Sequence, residues 1–214
     1  MENKELSKAT IGRLPLYLRF LQEANGRGER FISSSLIAQS ISVSSVLVRK
    51  DLALVASDPG VPRKGFAVKT LIRDIEKFLG YDNISDVVLV GAGGLGQAFL
   101  GYEGFKNNGM NLVAAFDKDK RLIGKNIAGK PVLSMDEFER FAQEKKIRIG
   151  IIAVPKTAAQ EVLDRMAAVG IKAVWNFAPV ALTPPKGITL KTEDLAASLS
   201  ILASKAFRIR QEND

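Results

Sequence analysis

The run "VVLVG" (87–91) passes straight into "GAGGLG" (91–96), placing glycines at 91, 93 and 96 in the spacing G-x-G-x-x-G between an apolar strand and the helix that follows. Few short stretches restrict a fold so tightly, because each glycine meets a separate steric demand of a strand that must turn at once into a helix. Gly91 makes the tight turn, Gly93 lets a pyrophosphate approach the backbone, and Gly96 lets helix and strand pack closely. With Ala92, Gly94 and Leu95 they form a loop whose N–H groups, at a helix N-terminus, favour negative charge. The next strand, "NLVAAFD" (111–117), ends on Asp117, 26 residues after Gly91, where a carboxylate can accept hydrogen bonds from an adenosine ribose. Asp117 would repel a 2′-phosphate, favouring NADH and NAD+ over the phosphorylated cofactors, although Lys118, Lys120 and Arg121 nearby pull the other way. A glycine-rich turn without any ligand is the competing reading.

The rhythm around this loop is strand and helix in alternation. Apolar runs at 87–91, 111–117, 148–155 and 171–177 are separated by amphipathic segments that include 134–145 and 157–170. Such alternation predicts an α/β fold with a doubly wound parallel sheet of the Rossmann type. Later strands end in "AVP" (Ala153, Val154, Pro155) and "NFAP" (beginning Asn176, Phe177), at the edge where open parallel sheets take ligands. Asn176 is placed either to hydrogen-bond a cofactor or to cap a loop. After the sheet comes "TEDLAASLSILASKAFRIRQ", a long amphipathic helix whose Leu195, Leu199, Leu202 and Phe207 need a partner surface.

The first 80 residues read differently. A helix is predicted from Pro15 to Ala24, with Pro15 in its first turn and Leu14, Tyr17, Leu18 and Leu21 on one face. It stops at "NGRGER" (25–30). Serines then cap a short helix through Ile41, and "SVSS" (42–45) turns into a second cap for a helix from Val46 to Val55. Three short helices with a tight turn between the last two fit a helix-turn-helix. "SDPGVPRKGFAV" (57–68) follows, suited at its ends to a short hairpin, the wing of a winged helix, before a helix from Lys69 to Leu79. Residues 1–80 hold 13 Lys and Arg against 8 Asp and Glu, and residues 81–214 hold 18 against 15. The smaller segment carries most of the excess charge, as expected of a domain facing a polyanion.

With no cysteine and no histidine, disulfides, thiol chemistry and the usual zinc ligands are excluded, and no metal is expected. Hydride transfer to a carbonyl needs a proton donor that histidine cannot supply here. Tyr102 and Lys106 form the Tyr-x-x-x-Lys pair of short-chain reductases, but they follow directly on the glycine loop, one to three turns into its helix, whereas in those enzymes the pair lies much later. Catalysis is therefore not expected. No apolar run approaches the roughly 18 residues of a membrane span, and "MENKELSKAT" has no apolar core of a signal peptide, so a cytoplasmic protein without a membrane partner is expected.

In order and spacing, "RLPLYLRFL" (13–21), "VRKDL" (48–52), "GAGGLGQAFLGY" (91–102), "AFD" (115–117), "IAVP" (152–155), "WNFAPV" (175–180) and "EDLAASL" (193–199) closely resemble the Rex family of redox-sensing transcriptional repressors. The resemblance implies a homodimer with a winged helix on double-stranded operator DNA (1–80), a Rossmann domain that senses NADH and NAD+ (81–192), and a C-terminal helix exchanged between subunits (193–214). It makes Ser44, Ser45, Arg49, Lys50, Arg63 and Lys64 candidates for DNA contact. It also implies that Arg13, Tyr102 and Asp194 couple the DNA domain, cofactor domain and dimer interface. Taken alone, Arg13 reads as a solvated charge at a helix start and Asp194 as an acid favoured at a helix N-terminus. This chain departs from the family where "ALVA" (53–56) replaces Ser-Tyr-Phe-Gly and "GFAV" (65–68), after a one-residue insertion, replaces Gly-Tyr-Asn-Val, which leaves open whether the operator sequence is the family's usual one. A nicotinamide-dependent reductase with a basic accessory domain and a coenzyme A or nucleotide-binding module are the alternatives.

Overall fold

The computed structural model describes residues 7–81 and 85–211. The chain forms two compact units, Met1–Asn83 and Ile84–Asp214. Just past the expected boundary between residues 80 and 81, residues 82–84 lie outside the described residues.

In the N-terminal unit, α1 runs Lys8–Gly26, capped by the Ser7 side chain, which accepts from the Thr10 N–H. The helix therefore begins well before Pro15, which sits inside it rather than in its first turn. Proline removes one intrahelical donor; the Ser7 cap and the wholly buried stripe of Leu14, Tyr17, Leu18 and Leu21 outweigh that loss. Next come β1 (Phe31–Ile32), α2 (Ser34–Ser40), capped by Ser33, and α3 (Ser45–Val55), capped by Ser44. The turn between α2 and α3 holds Ser42 at φ +57°. β2 (Phe66–Ala67) leads into α4 (Val68–Leu79), which Gly80 ends in the left-handed region. The hairpin expected within 57–68 does not close on itself beyond a single Val61–Gly65 bridge. Instead β2 pairs antiparallel with the distant β1, Phe31 opposite Ala67 and Ile32 opposite Phe66. Gly65 makes this possible, since its φ is +88° and a Cβ there would strike the Ile32 carbonyl oxygen. Val48, Leu52, Leu71 and Ile75 close the core beneath α1.

The C-terminal unit is a seven-stranded sheet built from β3 (Ser85–Val90), β4 (Met110–Asp117), β5 (Asn126–Ile127), β6 (Lys130–Ser134), β7 (Ile149–Ile152), β8 (Ala173–Asn176) and β9 (Thr189–Thr192), in the order β5-β6-β4-β3-β7-β8-β9. All pairings are parallel except β5 with β6. Strand residues alternate between two cores. Val88, Val90, Phe116 and Ile152 pack against α6 (Phe138–Glu144) and α7 (Ala159–Ala168), while Leu89, Leu112 and Ile151 pack with Phe99 and Leu100 of α5 (Gly94–Gly101). On the α5 side, the amino-terminal halves of the strands leave an apolar cavity of about 240 Å³ lined by Val87, Met110, Leu112, Ile149, Ile151 and Trp175 among others. Last comes α8 (Leu195–Gln211), whose Leu195, Leu199, Ile201, Leu202 and Phe207 are all at least 60% exposed.

Candidate functional site

The strand register gathers the expected ligand residues into one row. Val90 lies opposite both Phe116 and Ile152, and Ile152 opposite Asn176, so Gly91, Asp117, Ala153 and Phe177 stand side by side at the carboxyl ends of the strands. The chain moves outward from β3 to β4 and β6, then returns to β7, which makes the crevice between β3 and β7 the topological switch point. Gly91 sits there at φ +101°, and a Cβ on it would strike the Ala153 carbonyl oxygen; a Cβ on Gly96 would strike the Gly91 carbonyl oxygen. Gly93 and Gly94 have nothing within 4 Å of where their Cβ atoms would stand. Two glycines thus shape the turn while two others leave open a cradle that side chains would fill.

Asp117 closes this loop as well as flanking it. Its Oδ2 accepts from the Ala92 N–H at 2.7 Å and its Oδ1 from the Asp119 N–H at 2.9 Å. Each carboxylate oxygen keeps a further acceptor site, so the group can still receive ribose hydroxyls. Asp119 is paired with Arg121 at 2.7 Å, which occupies one of the three cations that weigh against NAD(H) selectivity. Ala153, Val154 and Pro155 follow β7 at the same edge.

Asn176 is a different matter. It is fully buried, its Nδ2 donates to the Ala178 carbonyl at 3.1 Å, and its Oδ1 accepts from the Ala178 N–H at 2.9 Å. Of the two roles open to it, capping the turn after β8 is the one the structure builds, and cofactor contact is withdrawn. Phe177 instead joins an aromatic cluster, 4.7 Å from the Phe99 ring and 4.5 Å from Trp175. The sequence carries no local signal for this cluster, whose members come from α5, β8 and the residue that follows β8.

Tyr102 also needs correction. α5 ends at Gly101, so Tyr102 stands not inside that helix but between it and a 3₁₀ turn (Glu103–Asn108), 59% exposed, with its ring edge on Phe105 at 5.0 Å. Asp194 caps α8, its Oδ1 accepting from the Ala197 N–H at 2.8 Å.

In the N-terminal unit, Ser44 spends its hydroxyl oxygen on the Leu47 N–H at 3.2 Å, and Ser45 begins α3. Arg49 and Lys50 are exposed on that helix, with Val48, Asp51 and Leu52 turned inward. Arg63 takes φ +65° at the tip of the 61–65 turn, and the Lys64 ammonium lies 5.8 Å from the Phe31 ring centre. Arg13 is no solvated helix-start charge. Its guanidinium grips Asp51 through Nε at 2.7 Å and Nη2 at 2.8 Å.

Among the described residues no cluster of His, Cys, Asp or Glu could hold a metal ion, and no helix is long and apolar enough to cross a membrane.

Residues 82–180 match the family described as "CoA binding domain", and residues 5–53 the family described as "Putative DNA-binding protein N-terminus". The chain is 42% identical over 193 residues to the redox-sensing transcriptional repressor Rex of Treponema denticola, covering 90% of this chain and 91% of that protein. It is 39% identical over 212 residues to the repressor of the same name from Carboxydothermus hydrogenoformans, covering 99% and 100%. Among solved structures it is similar to RSP, a Rex-family repressor, in complex with β-NAD+ and operator DNA, with TM-score 0.88, 34% identity, and 99% and 95% of the two chains covered. RSP in complex with β-NADH aligns with TM-score 0.85, covering 99% and 97%.

Proposed function

The chain belongs to the Rex family of redox-sensing transcriptional repressors, and on that premise we propose that it binds operator DNA as a homodimer and is released when NADH rises relative to NAD+. One observation carries the reading: similarity to RSP, crystallised with NAD+ and operator DNA and with NADH, extends over both units of the chain. The winged-helix unit (1–80) reads DNA, the Rossmann unit (81–192) holds the cofactor, and the C-terminal helix (193–214) joins the subunits. The cradle left open at Gly93 and Gly94, with Asp117 beside it, suits the pyrophosphate and ribose of NADH or NAD+; Ala153, Val154, Pro155 and Phe177 line the same edge. Arg49 and Lys50 address base edges, while Ser44, Ser45, Arg63 and Lys64 hold phosphates.

The dimer reading draws support from two apolar surfaces of the C-terminal unit, the exposed stripe of α8 and the partly covered sheet face behind the cavity. Exchange of α8 between subunits would bury both. Tyr102 and Asp194 are exposed and able to couple cofactor and dimer. Arg13 could join them only by releasing Asp51. Arg19, six residues further along α1, is exposed and makes no ion pair among the described residues, so the coupling arginine of α1 is better sought there. The protein acts as a cytoplasmic regulator, without turnover of the cofactor.

The match of residues 82–180 to a CoA binding domain favours one second reading, a coenzyme A module. Calorimetric titration with NADH, NAD+, NADPH and coenzyme A separates the two. NADH binding that coenzyme A does not compete away is expected, and the opposite ranking would favour the second reading. Steady oxidation of NADH in the presence of small carbonyls would instead make the protein a reductase.

A further inference from the structure

A carboxylate at the centre of the N-terminal core is an expensive choice. Asp51 is 2% exposed, yet it accepts three short hydrogen bonds: Arg13 Nε at 2.7 Å, Arg13 Nη2 at 2.8 Å and the Tyr17 hydroxyl at 2.7 Å. Thr10, itself buried, receives Arg13 Nη2 at 3.3 Å and lies 3.0 Å from the Ser7 hydroxyl that caps α1. A chain of polar contacts thus runs from the first turn of α1 to the middle of α3. Every buried side-chain nitrogen and oxygen among the described residues has a partner. Replacing such a pair by apolar residues of similar volume is often neutral or stabilising, so stability alone does not explain why α3 carries an acid here.

Geometry does. Val48 and Leu52 bury the same side of α3, but apolar contact is non-directional and allows a helix to turn in its groove. A guanidinium gripping a carboxylate through two N–H groups fixes a plane and an angle. Asp51 adjoins Arg49 and Lys50, which face outward. A group about 6 Å from the axis moves about 2 Å when the helix turns by 20°, whereas a working site must be held to about 0.5 Å. We propose that Asp51, held by Arg13 and Tyr17, fixes the rotation of α3 and is thereby a positioning residue for base recognition by Arg49 and Lys50. The proposal rests on the reading of α3 as the DNA-reading helix.

The test uses the full chain, a duplex selected by the wild-type protein from a random-sequence library, and a shuffled duplex of the same composition. Arg13→Met with Asp51→Leu, made in a Tyr17→Phe background so that no buried hydroxyl is stranded, keeps the volume apolar and should melt no lower than wild type. It should lose at least tenfold in preference for the selected duplex while its affinity for the shuffled duplex and its salt slope stay unchanged. Arg13→Lys, which keeps the charge but not the two-pronged grip, should lose preference too, and Tyr17→Phe should lose a few-fold. Should the combined variant fail to fold, these two decide. Folded variants with undiminished preference would overturn the positioning role. If the wild type itself selects no sequence, the DNA reading beneath the proposal fails, an outcome separate from the first.

Discussion

The two kinds of glycine in the loop predict opposite phenotypes. Gly96→Ala forces a methyl onto the Gly91 carbonyl, an overpacking worth about 1 to 3 kcal/mol, so the C-terminal unit should melt earlier even without cofactor. Gly93→Ala meets no protein atom within 4 Å, so thermal unfolding of the free protein should be unchanged while NADH affinity, read by calorimetry, falls. Asp117→Ala removes hydrogen bonds to a charged acceptor, each worth about 1.5 to 3 kcal/mol, and should weaken NADH tenfold or more while narrowing its advantage over NADPH. Equal binding of the two by the unmutated protein would refute that role. The buried cluster around Asp51 sets a pH dependence. Burial pushes the Asp51 carboxyl up, but the bonds from Arg13 and Tyr17 outweigh it and hold it below its ordinary 3.8; burial and the bond to Asp51 push the Tyr17 phenol up to about 12. The carboxylate's stabilisation is complete above the ordinary value and lost as pH falls through the lowered one. The phenol's is complete below pH 10 and lost as pH rises towards 12. Melting of the N-terminal unit should fall at both ends, and Tyr17→Phe should remove most of the alkaline loss, the half-buried Tyr81 keeping the rest. Such residues also mark the limit of sequence reading. Gly91 and Gly96 were legible because their demands are local, whereas Arg13 meets a partner 38 residues away.

At the scale of elements, the recognition helix and the wing should separate in their effects on DNA. If α3 reads bases as proposed, Arg49→Ala should cost about 1 to 3 kcal/mol of discrimination, the worth of a bidentate arginine–guanine contact, whereas Arg63→Ala, if the wing holds phosphate, should lower the salt slope by about 1 with preference intact. Unchanged preference in Arg49→Ala and Lys50→Ala would remove α3 from base reading. For α8, paired substitution Leu199→Lys and Leu202→Lys places charge on the exposed stripe. Sedimentation should show a dimer become a monomer, with a matching loss of operator affinity; a wild type that sediments as a monomer would contradict exchange. The alternation of apolar strands and amphipathic helices made β3, β4, β7, β8, α6 and α7 legible, because each buries a full face or stripe. β6 and β9 were not. β9 is an edge strand and β6 lies next to the two-residue edge strand β5; both are only partly buried and carry Lys130, Pro131 and Lys191, so no two-residue period stands out. The pairing of β1 with β2 rests on two residues each, too few for any pattern to register.

For the whole molecule, the proposed regulation is a shift between two dimer arrangements. Two recognition helices reading one face of B-DNA stand about 34 Å apart or a multiple of it, so any rotation of subunits that breaks this spacing ejects the operator. A ligand can drive that rotation only through differential affinity: moving the dimer from 1:99 to 99:1 takes about 5.5 kcal/mol. The neutral dihydronicotinamide of NADH enters an apolar pocket more readily than the cationic ring of NAD+, which carries a desolvation cost. Linkage then requires operator DNA to weaken NADH binding by the same factor that NADH weakens operator binding. Substituting Asp194 by alanine should leave most of the cofactor affinity intact while blunting release, as titration of both ligands would reveal. Redox sensing itself is tested most directly by the operator affinity of the full-length protein, measured once with saturating NADH and once with saturating NAD+. Much weaker binding with NADH is the predicted result, and equal affinities would contradict it.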